Sequence, residues 1–329
     1  MVKTANPSVH VIVLNWRTAE MSLDAAEAGL REMQGLDGGL TIVDNDSGDG
    51  SFDRMQEAVR ARGWPADRVA VVQSGWNGGF GAGNNHGIRQ GLPDGRRADL
   101  VYLLNSDAIP QPGAIRVLVD YLQRHPEAGI AGSRLRGTDG VPHRSAFRFP
   151  SAAAEFEASS RSGPVTKLFK NKVVAMPPPT VSGPVDWSAG ASMMMRMDML
   201  DRIGLFDEGF FLYFEETDLC RRAADAGFQT HYVTESLVEH IGSASTGMKT
   251  WSRVPDYWYD SRRRYFEKHH GRLGALVATA AAVGGEALWR LRCLVQRRAP
   301  GVPQGHMGQL TRHALRRRPI PIHVEKGKL

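Results

Sequence analysis

Five short segments of this 329-residue chain carry side chains whose type and spacing suit chemistry. In IVDNDSGDGS (residues 42–51), Asp44 and Asp46 follow an apolar run. Carboxylates placed there can accept hydrogen bonds from the amide edge of a nucleobase or from ribose hydroxyls. They equally suit a turn that caps the next helix. NGGFGAGNNHG (77–87) has glycines that let a backbone approach a ligand closely. It has neither the Walker spacing nor a G-x-G-x-x-G, so a phosphate-loop ATPase and a dinucleotide fold lack support. A plain glycine-rich turn before a helix is the alternative. LLNSDA (103–108) brings Asn105 and Asp107 to the end of an apolar run. Such oxygens hold hard divalent cations, which in turn neutralise phosphates. One Asp needs further ligands from elsewhere, and a turn Asp is the simpler reading of this hexapeptide. Glu215, Glu216 and Asp218 follow the aromatic run FFLYF (210–214). Carboxylates beside aromatic rings acquire raised pKa values, which suit a general base. The same acids suit the first turn of a helix. Finally, His240 precedes IGSAS and is either a ligand or a structural imidazole.

Regular elements must position these groups. Residues 9–14, 40–43, 69–73 and 100–104 read as strands, and 18–34 and 51–62 as helices. A further helix opens at about 84–91. Strand and helix alternating in this way argue for a parallel sheet with helices on its faces. Ligands of such sheets bind beyond the carboxyl ends of the strands, so Asp44, Asp46, Asn77 and Asp107 are expected in one crevice. Beyond it, 112–125 reads as a helix and 130–135 as a strand. Residues 137–182 read as a less regular surface excursion. Pattern returns at 185–197, with helices at 198–203 and 217–226 and strands at 229–233 and 236–240. From Trp251 to about Arg298 the chain is helical, aromatic and basic, and the remainder reads as a tail.

Hydrophobic residues make up 42% and charged residues 23%, so the chain is globular rather than disordered. Two cysteines, Cys220 and Cys293, exclude a disulfide framework and point to a reducing compartment. The N-terminal residues lack the apolar core of a signal peptide. No run reaches the roughly 18 apolar residues of a spanning helix. The net charge of +6 is unevenly spread: residues 251–329 carry 16 Lys/Arg against 5 Asp/Glu, while the preceding 250 residues are net acidic. A basic end on an acidic body suggests an anionic surface as partner. Nucleic acid is disfavoured, because the tail has few aromatics after Trp289 and no recognised binding motif.

In the order LNW, VDNDSGDGS, NGGFGAGNNHG, LLNSDA, SAGASMMMR, FDEGFFLYFEETDLCRRAADAGF and EHIGSAS, these segments resemble the family 2 glycosyltransferases, closest to the bacterial rhamnosyltransferase-like branch, over residues 9–270. The resemblance implies an α/β architecture of GT-A type: a mostly parallel nucleotide-binding sheet flanked by helices, with a helical basic C-terminal extension. It implies a catalytic domain over 1–250, with a nucleotide-sugar half to about 110 and an acceptor half from 111. An aromatic-basic extension over 251–298 and a basic tail over 299–329 follow. It places Asp44 at the nucleobase. Asn77, Gly79, Gly83 and Asn84 fall in the motif that closes over nucleotide and sugar, and Asn15 and Asp46 group with these positions. Asn105-Ser106-Asp107 matches the metal-binding Asp-x-Asp, with Asp107 as ligand and His240 completing the site around Mg²⁺ or Mn²⁺. Trp187 and residues 189–191 match the segment lining the sugars. Glu216 matches the catalytic base and Glu215 its acidic neighbour.

Two departures bear on this. Asn105 replaces an Asp and lowers the charge at the metal. A Glu stands where the base is more often Asp, moving the carboxylate by roughly 1.5 Å, so either the backbone compensates or Glu215 takes the role. The implied reaction is an inverting, metal-dependent transfer of a sugar to a hydroxyl of a glycan or lipid-linked glycan. The implied donor is dTDP-L-rhamnose, with UDP- and GDP-sugars open. A non-catalytic nucleotide-sugar or glycan-binding protein with a degenerate site is the alternative. Residues 273–298 set Leu, Val and Trp289 near Arg290, Arg292, Arg297 and Arg298. That helix suits an anionic leaflet on the cytoplasmic side, or packing on the protein's own body or on a second subunit in a homodimer.

Overall fold

The computed structural model describes residues 6–242 and 251–316. Residues 243–245 of the EHIGSAS segment and 317–329 of the basic tail lie outside the described residues.

The first half alternates as the sequence predicts: β1 (Val9–Asn15), α1 (Ala19–Glu32), β2 (Gly38–Asp44), α2 (Ser51–Ala61), β3 (Val69–Gln73), α3 (Gly79–Gln90) and β4 (Leu100–Asn105). The sheet order β3-β2-β1-β4 is parallel throughout. Side-chain alternation with a period of two explains why these runs are apolar on both faces. Val9, Val11 and Val13 join one core layer, with Leu23 of α1 and Met33 just after it. Ile12 joins the other, with Ile88 of α3. β4 divides likewise, Leu100, Tyr102 and Leu104 facing one layer and Val101 and Leu103 the other.

The sheet then turns mixed. β5 (Ala108–Pro110), α4 (Ala114–Arg124) and β6 (Ala128–Arg136) are followed by β7 (Ala146–Phe147), α5 (Ala152–Ser160) and α6 (Gly163–Leu168). Next come β8 (Gly183–Val185), β9 (Trp187–Ser188), β10 (Ser192–Arg196), α7 (Met197–Ile203), α8 (Glu215–Asp225) and β11 (Gln229–His240). β10 inserts antiparallel between β4 and β6, and β6 pairs with β11 in parallel. Two strands expected over 229–240 are one, interrupted by a register shift between Val233 and Leu237. The excursion over 137–182 holds two helices, because α5 has its own partner, the long helix α9 (Asp256–Val295).

α9 bends at Gly271, which takes φ +68° inside otherwise helical chain. The stretch expected as a tail contains α10 (His306–Leu315), which packs on α9 through Leu310 beside Tyr259 and Ala282. Apolar residues at helical spacing are too few there to outweigh the Gly, Pro and Arg around them, so the helix was not legible in the sequence.

Candidate active site

The register of the sheet sets the strand ends level. Asn15 of β1 stands beside Asp44 of β2, and Leu14 beside Asn105 of β4. Beyond these ends lies a cavity of about 870 Å³. From the sequence-predicted residues, Asn77, Gly79, Asn105, Ser106, Asp107 and His240 line it, as do Glu215 and Glu216.

Asn15 and Asp44 do not. Both are buried and bonded to each other, Asn15 Nδ2 donating to Asp44 Oδ1 at 2.7 Å. Ser47 donates to the same carboxylate through its hydroxyl and its backbone N–H. Asn15 Oδ1 accepts from Thr18 N–H and Ser22 Oγ. These two side chains fix the loop after β2. The side chain that loop turns to the cavity is Asn45, which the sequence reading passed over in favour of its acidic neighbours. Asn45 Nδ2 donates to Asn77 Oδ1 at 2.9 Å, joining two strand-end loops. Asp46, with φ +56°, lies off the cavity lining.

The glycine-rich segment is helical from Gly79 rather than from 84. Gly79 has φ +85°, and a Cβ there would stand 1.7 Å from the Phe211 carbonyl oxygen. That carbonyl accepts the Phe80 N–H at 3.0 Å. Only glycine permits this crossing of two backbones. A Cβ on Gly83 would meet Leu14 Cδ1 at 2.5 Å, so Gly83 sets how closely α3 lies on β1. Asn84 is buried and bonds back to the Phe80 carbonyl. Both therefore hold α3 in place and are not on the cavity lining. Trp187 is likewise off it, stacked on Phe147 at 4.1 Å with its Nε1–H on the Arg148 carbonyl. Its neighbours 189–191 do line the cavity. Of the excursion, Pro142, His143 and Arg144 line it, while α5 packs on α9 instead.

Asp107 and His240 come together because β5 and β11 pair antiparallel, His240 opposite Ala108. His240 Nε2 is 3.1 Å from Asp107 Oδ1, and the Gly242 N–H donates to Asp107 Oδ2. Burial by itself would raise the Asp107 pKa, but the His240 contact and that N–H hold it below the usual carboxylate value. A carboxylate and an imidazole at this spacing, beside Asn105 and Ser106, are a donor set that suits a divalent cation completed by phosphate oxygens.

Glu215 and Glu216 open α8. The helix dipole there favours a charged carboxylate, yet burial wins. Burial, followed by the charge of Glu216, pushes Glu215 well above the ordinary Glu value. Burial also raises Glu216. Oε2 of each finds no hydrogen-bond partner among the described residues. Tyr213 and Phe214, just before them, both have φ +69°, a conformation that costs a non-glycine residue about 1–3 kcal/mol. Phe214 is clasped by Trp258 and Tyr265 of α9, and Tyr213 stacks near Tyr257. Asp218, one turn further, is fully buried and takes Arg222, Lys268 and His269 at 2.7–2.8 Å. The carboxylates thus sit on a strained turn held from behind by α9, a feature invisible in the local sequence.

Residues 2–254 match the family described as "Glycosyltransferase like family 2". The chain belongs to this family. A glycosyltransferase with this cavity has named relatives. It is 30% identical over 243 residues, 70% of this chain and 76% of the relative, to the N-acetylglucosaminyl-diphospho-decaprenol L-rhamnosyltransferase of Mycobacterium tuberculosis. It is 31% identical to the rhamnosyltransferase WbbL of Escherichia coli over 47% of this chain and 58% of that protein. Among solved structures, the mannosyltransferase PcManGT of Pyrobaculum calidifontis, in complex with GDP-Man and Mn²⁺, superposes with a TM-score of 0.54 at 16% identity, over 94% of this chain and 86% of that one. GalNAc-T7 with UDP, GalNAc and Mn²⁺ gives the same TM-score at 11% identity, and the transferase spans just over half of that longer chain. The fold is accordingly GT-A: a mixed sheet, parallel over its N-terminal half, between helices.

Proposed function

We propose that this glycosyltransferase inverts the configuration of a sugar as it moves it from a nucleoside diphosphate to an acceptor hydroxyl. The observation that carries the reading is that one cavity is lined both by Asp107 with His240 and by the adjacent carboxylates Glu215 and Glu216, each with a buried, unbonded Oε2. Asp107 and His240 suit a divalent cation, Mg²⁺ or Mn²⁺, and the Mn²⁺ in both structural neighbours supports the latter. When bound, such a cation neutralises charge on the leaving diphosphate. Glu216, with its raised pKa, takes the proton from the acceptor hydroxyl. The freed oxygen attacks the anomeric carbon on the face opposite the diphosphate, whose bond to carbon breaks. In this reading Asn45, Asn77 and the Gly79 backbone hold nucleotide and sugar, with Asn15, Asp44, Gly83, Asn84 and Trp187 supporting the loops and α3 from behind.

The names of two relatives support L-rhamnose as the sugar, and with it dTDP-rhamnose as donor. The nucleotides in the neighbours keep UDP- and GDP-sugars in the test panel. One relative's name supports a lipid-diphosphate-linked glycan as acceptor. No helix among the described residues is long and apolar enough to cross a membrane. The outer face of α9 nevertheless exposes Leu273, Val277, Leu291, Leu294 and Val295, with Arg292, Arg297 and Arg298 alongside. Its inner face packs on α5 and α10. This supports attachment to an anionic leaflet at the cytoplasmic face, which would bring the cavity to a lipid-linked acceptor. A second subunit on that face is the alternative occupant.

A non-catalytic binder has no use for two adjacent carboxylates that each bury an unbonded oxygen, which costs stability. The deciding experiment is nucleoside diphosphate release from a panel of nucleotide sugars with Mn²⁺, with and without EDTA. General-base help is typically worth about 10²–10⁴-fold, and Glu216→Gln should lose about that much while retaining donor binding. Unchanged turnover would remove Glu216 from the role.

A further inference from the structure

A second polar cluster lies away from the cavity. His125 follows the last turn of α4, Glu127 precedes β6, and His231 stands near the start of β11, whose first residues pair with the start of β6. One ligand atom from each lies within 4.8 Å of the others. His125 Nδ1 is 3.0 Å from Glu127 Oε1. Tyr121 stacks on His125 at 4.2 Å, and its hydroxyl meets His231 Nδ1 at 2.8 Å. Gln229 Oε1 meets His231 Nε2 at 2.7 Å.

We propose that His125, Glu127 and His231 form a structural site for a divalent transition metal of the Zn²⁺ class, separate from the active site. Two imidazoles and a carboxylate are a donor set zinc accepts. Ligands held at about 2.0–2.2 Å from one ion lie roughly 3.4 Å apart in a tetrahedron, so the widest spacing in the cluster needs to contract by up to about 1.4 Å. The groups that must move can move: the side chains of His125 and Glu127 are 36% and 44% exposed. His231, 4% exposed, is the fixed point. Both of its nitrogens already have partners, so one contact orients the ring while the other yields its nitrogen to the metal, the arrangement usual for ligating histidines. Gln229 supplies a further oxygen at the rim. Nearby, the Arg196 guanidinium is committed to the carbonyls of Leu122, His125 and Ala128, and Arg124 Nε to that of Asp120.

The location assigns the role. His231 and His240 are separated by nine residues of β11, roughly 30 Å of extended chain, and His240 is the end that lines the cavity. The metal would therefore staple the α4–β6 corner to β11 at the far end of the sheet, without touching substrate.

The test uses the full-length protein, stripped with chelator, desalted and dialysed against micromolar ZnCl₂, with bound zinc counted per chain. Wild type and Asp107→Asn should both retain one zinc that His125→Ala/His231→Ala loses. Zinc should raise the melting temperature of the first two and leave that of the double variant unmoved. Nucleoside diphosphate release should not change in the double variant. Glu127→Gln, at an exposed position, should weaken zinc binding at least about 10-fold. It decides the matter should the double variant fail to fold. Zinc retained in the double variant, zinc lost only with Asp107→Asn, or unchanged affinity in Glu127→Gln would each overturn the assignment.

Discussion

Replacing Asp218 by Asn removes a charge and leaves the shape of the side chain. In the native protein that carboxylate has no exposed surface and accepts from Arg222 Nε at 2.8 Å, Lys268 Nζ at 2.7 Å and His269 Nε2 at 2.8 Å. Breaking a buried ion pair costs about 3–5 kcal/mol when the partner is stranded. Here two of the three partners are not stranded. Arg222 keeps the carbonyls of Ile203, Gly204 and Leu205, and Lys268 keeps Asp207. The amide oxygen also still accepts one bond. The loss should therefore be about 2–3 kcal/mol. Unfolding entropy near 2.1 cal/mol/K per residue gives about 0.7 kcal/mol/K for a chain of this size, so Tm falls by about 3–4 °C. Turnover should fall further than stability suggests. Glu215 and Glu216 lie on the first turn of the same helix, and a 1 Å displacement of a catalytic group costs about 100-fold. The pH dependence has a definite sign. Burial alone would raise the Asp218 pKa, but His269, Lys268 and Arg222 hold it below the ordinary Asp value. Its stabilisation is thus present above the unfolded pKa of about 3.9 and lost as pH falls through the lower native value. Calorimetry of both proteins from pH 7 downward, with nucleoside diphosphate release alongside, checks all three statements. A Tm within about 1 °C of wild type at pH 7 would refute the claim that this network clamps α8 to α9.

Glu215 behaves oppositely: burial and the charge of Glu216 raise its native pKa, so stability falls as pH rises from about 4.3 toward the native value. Glu215→Gln should then melt higher than wild type by about 1–3 °C at pH 7.5, with the gap vanishing near pH 4; a melting curve indifferent to the substitution would sink this account. Because the base must be deprotonated, turnover should rise with pH through a value above the ordinary Glu range, and Glu216→Gln should abolish that limb of the profile. Gly79→Ala drives a Cβ into the Phe211 carbonyl at φ +85° and should lower Tm by at least about 5 °C, readable by circular dichroism. Leu291→Glu with Leu294→Glu, at positions 59% and 74% exposed, should leave Tm unchanged and abolish sedimentation with phosphatidylglycerol vesicles; retained sedimentation would rule out α9 as the attachment face.

The local sequence determined the parallel half of the sheet, because each strand there is a largely apolar run, broken only by His10 and Thr41 before its polar end, and the helices between carry periodic apolar positions. Val69–Gln73 was legible to the residue, and β1, β2 and β4 to within two at either end. It also determined which strand ends carry polar groups, and the ordered motifs carried the family. The tertiary structure decided which of those groups face the ligand. Asn15, Asp44 and Asn84 are polar residues in promising motifs, yet each is spent on the chain's own backbone and loops, while the buried Asn45 is the one that lines the cavity. A strand-end turn reverses the chain within two residues, so side-chain direction there depends on dihedrals that composition does not encode. The Asp107–His240 pair needed β11 to fold back against β5 across 133 residues of chain. The raised carboxylates needed α9, which begins 40 residues later and closes over the strained turn from Tyr213 to Phe214. Burial and charge are properties of what surrounds a side chain, and for Glu215, Glu216 and Asp218 those surroundings come from distant parts of the chain.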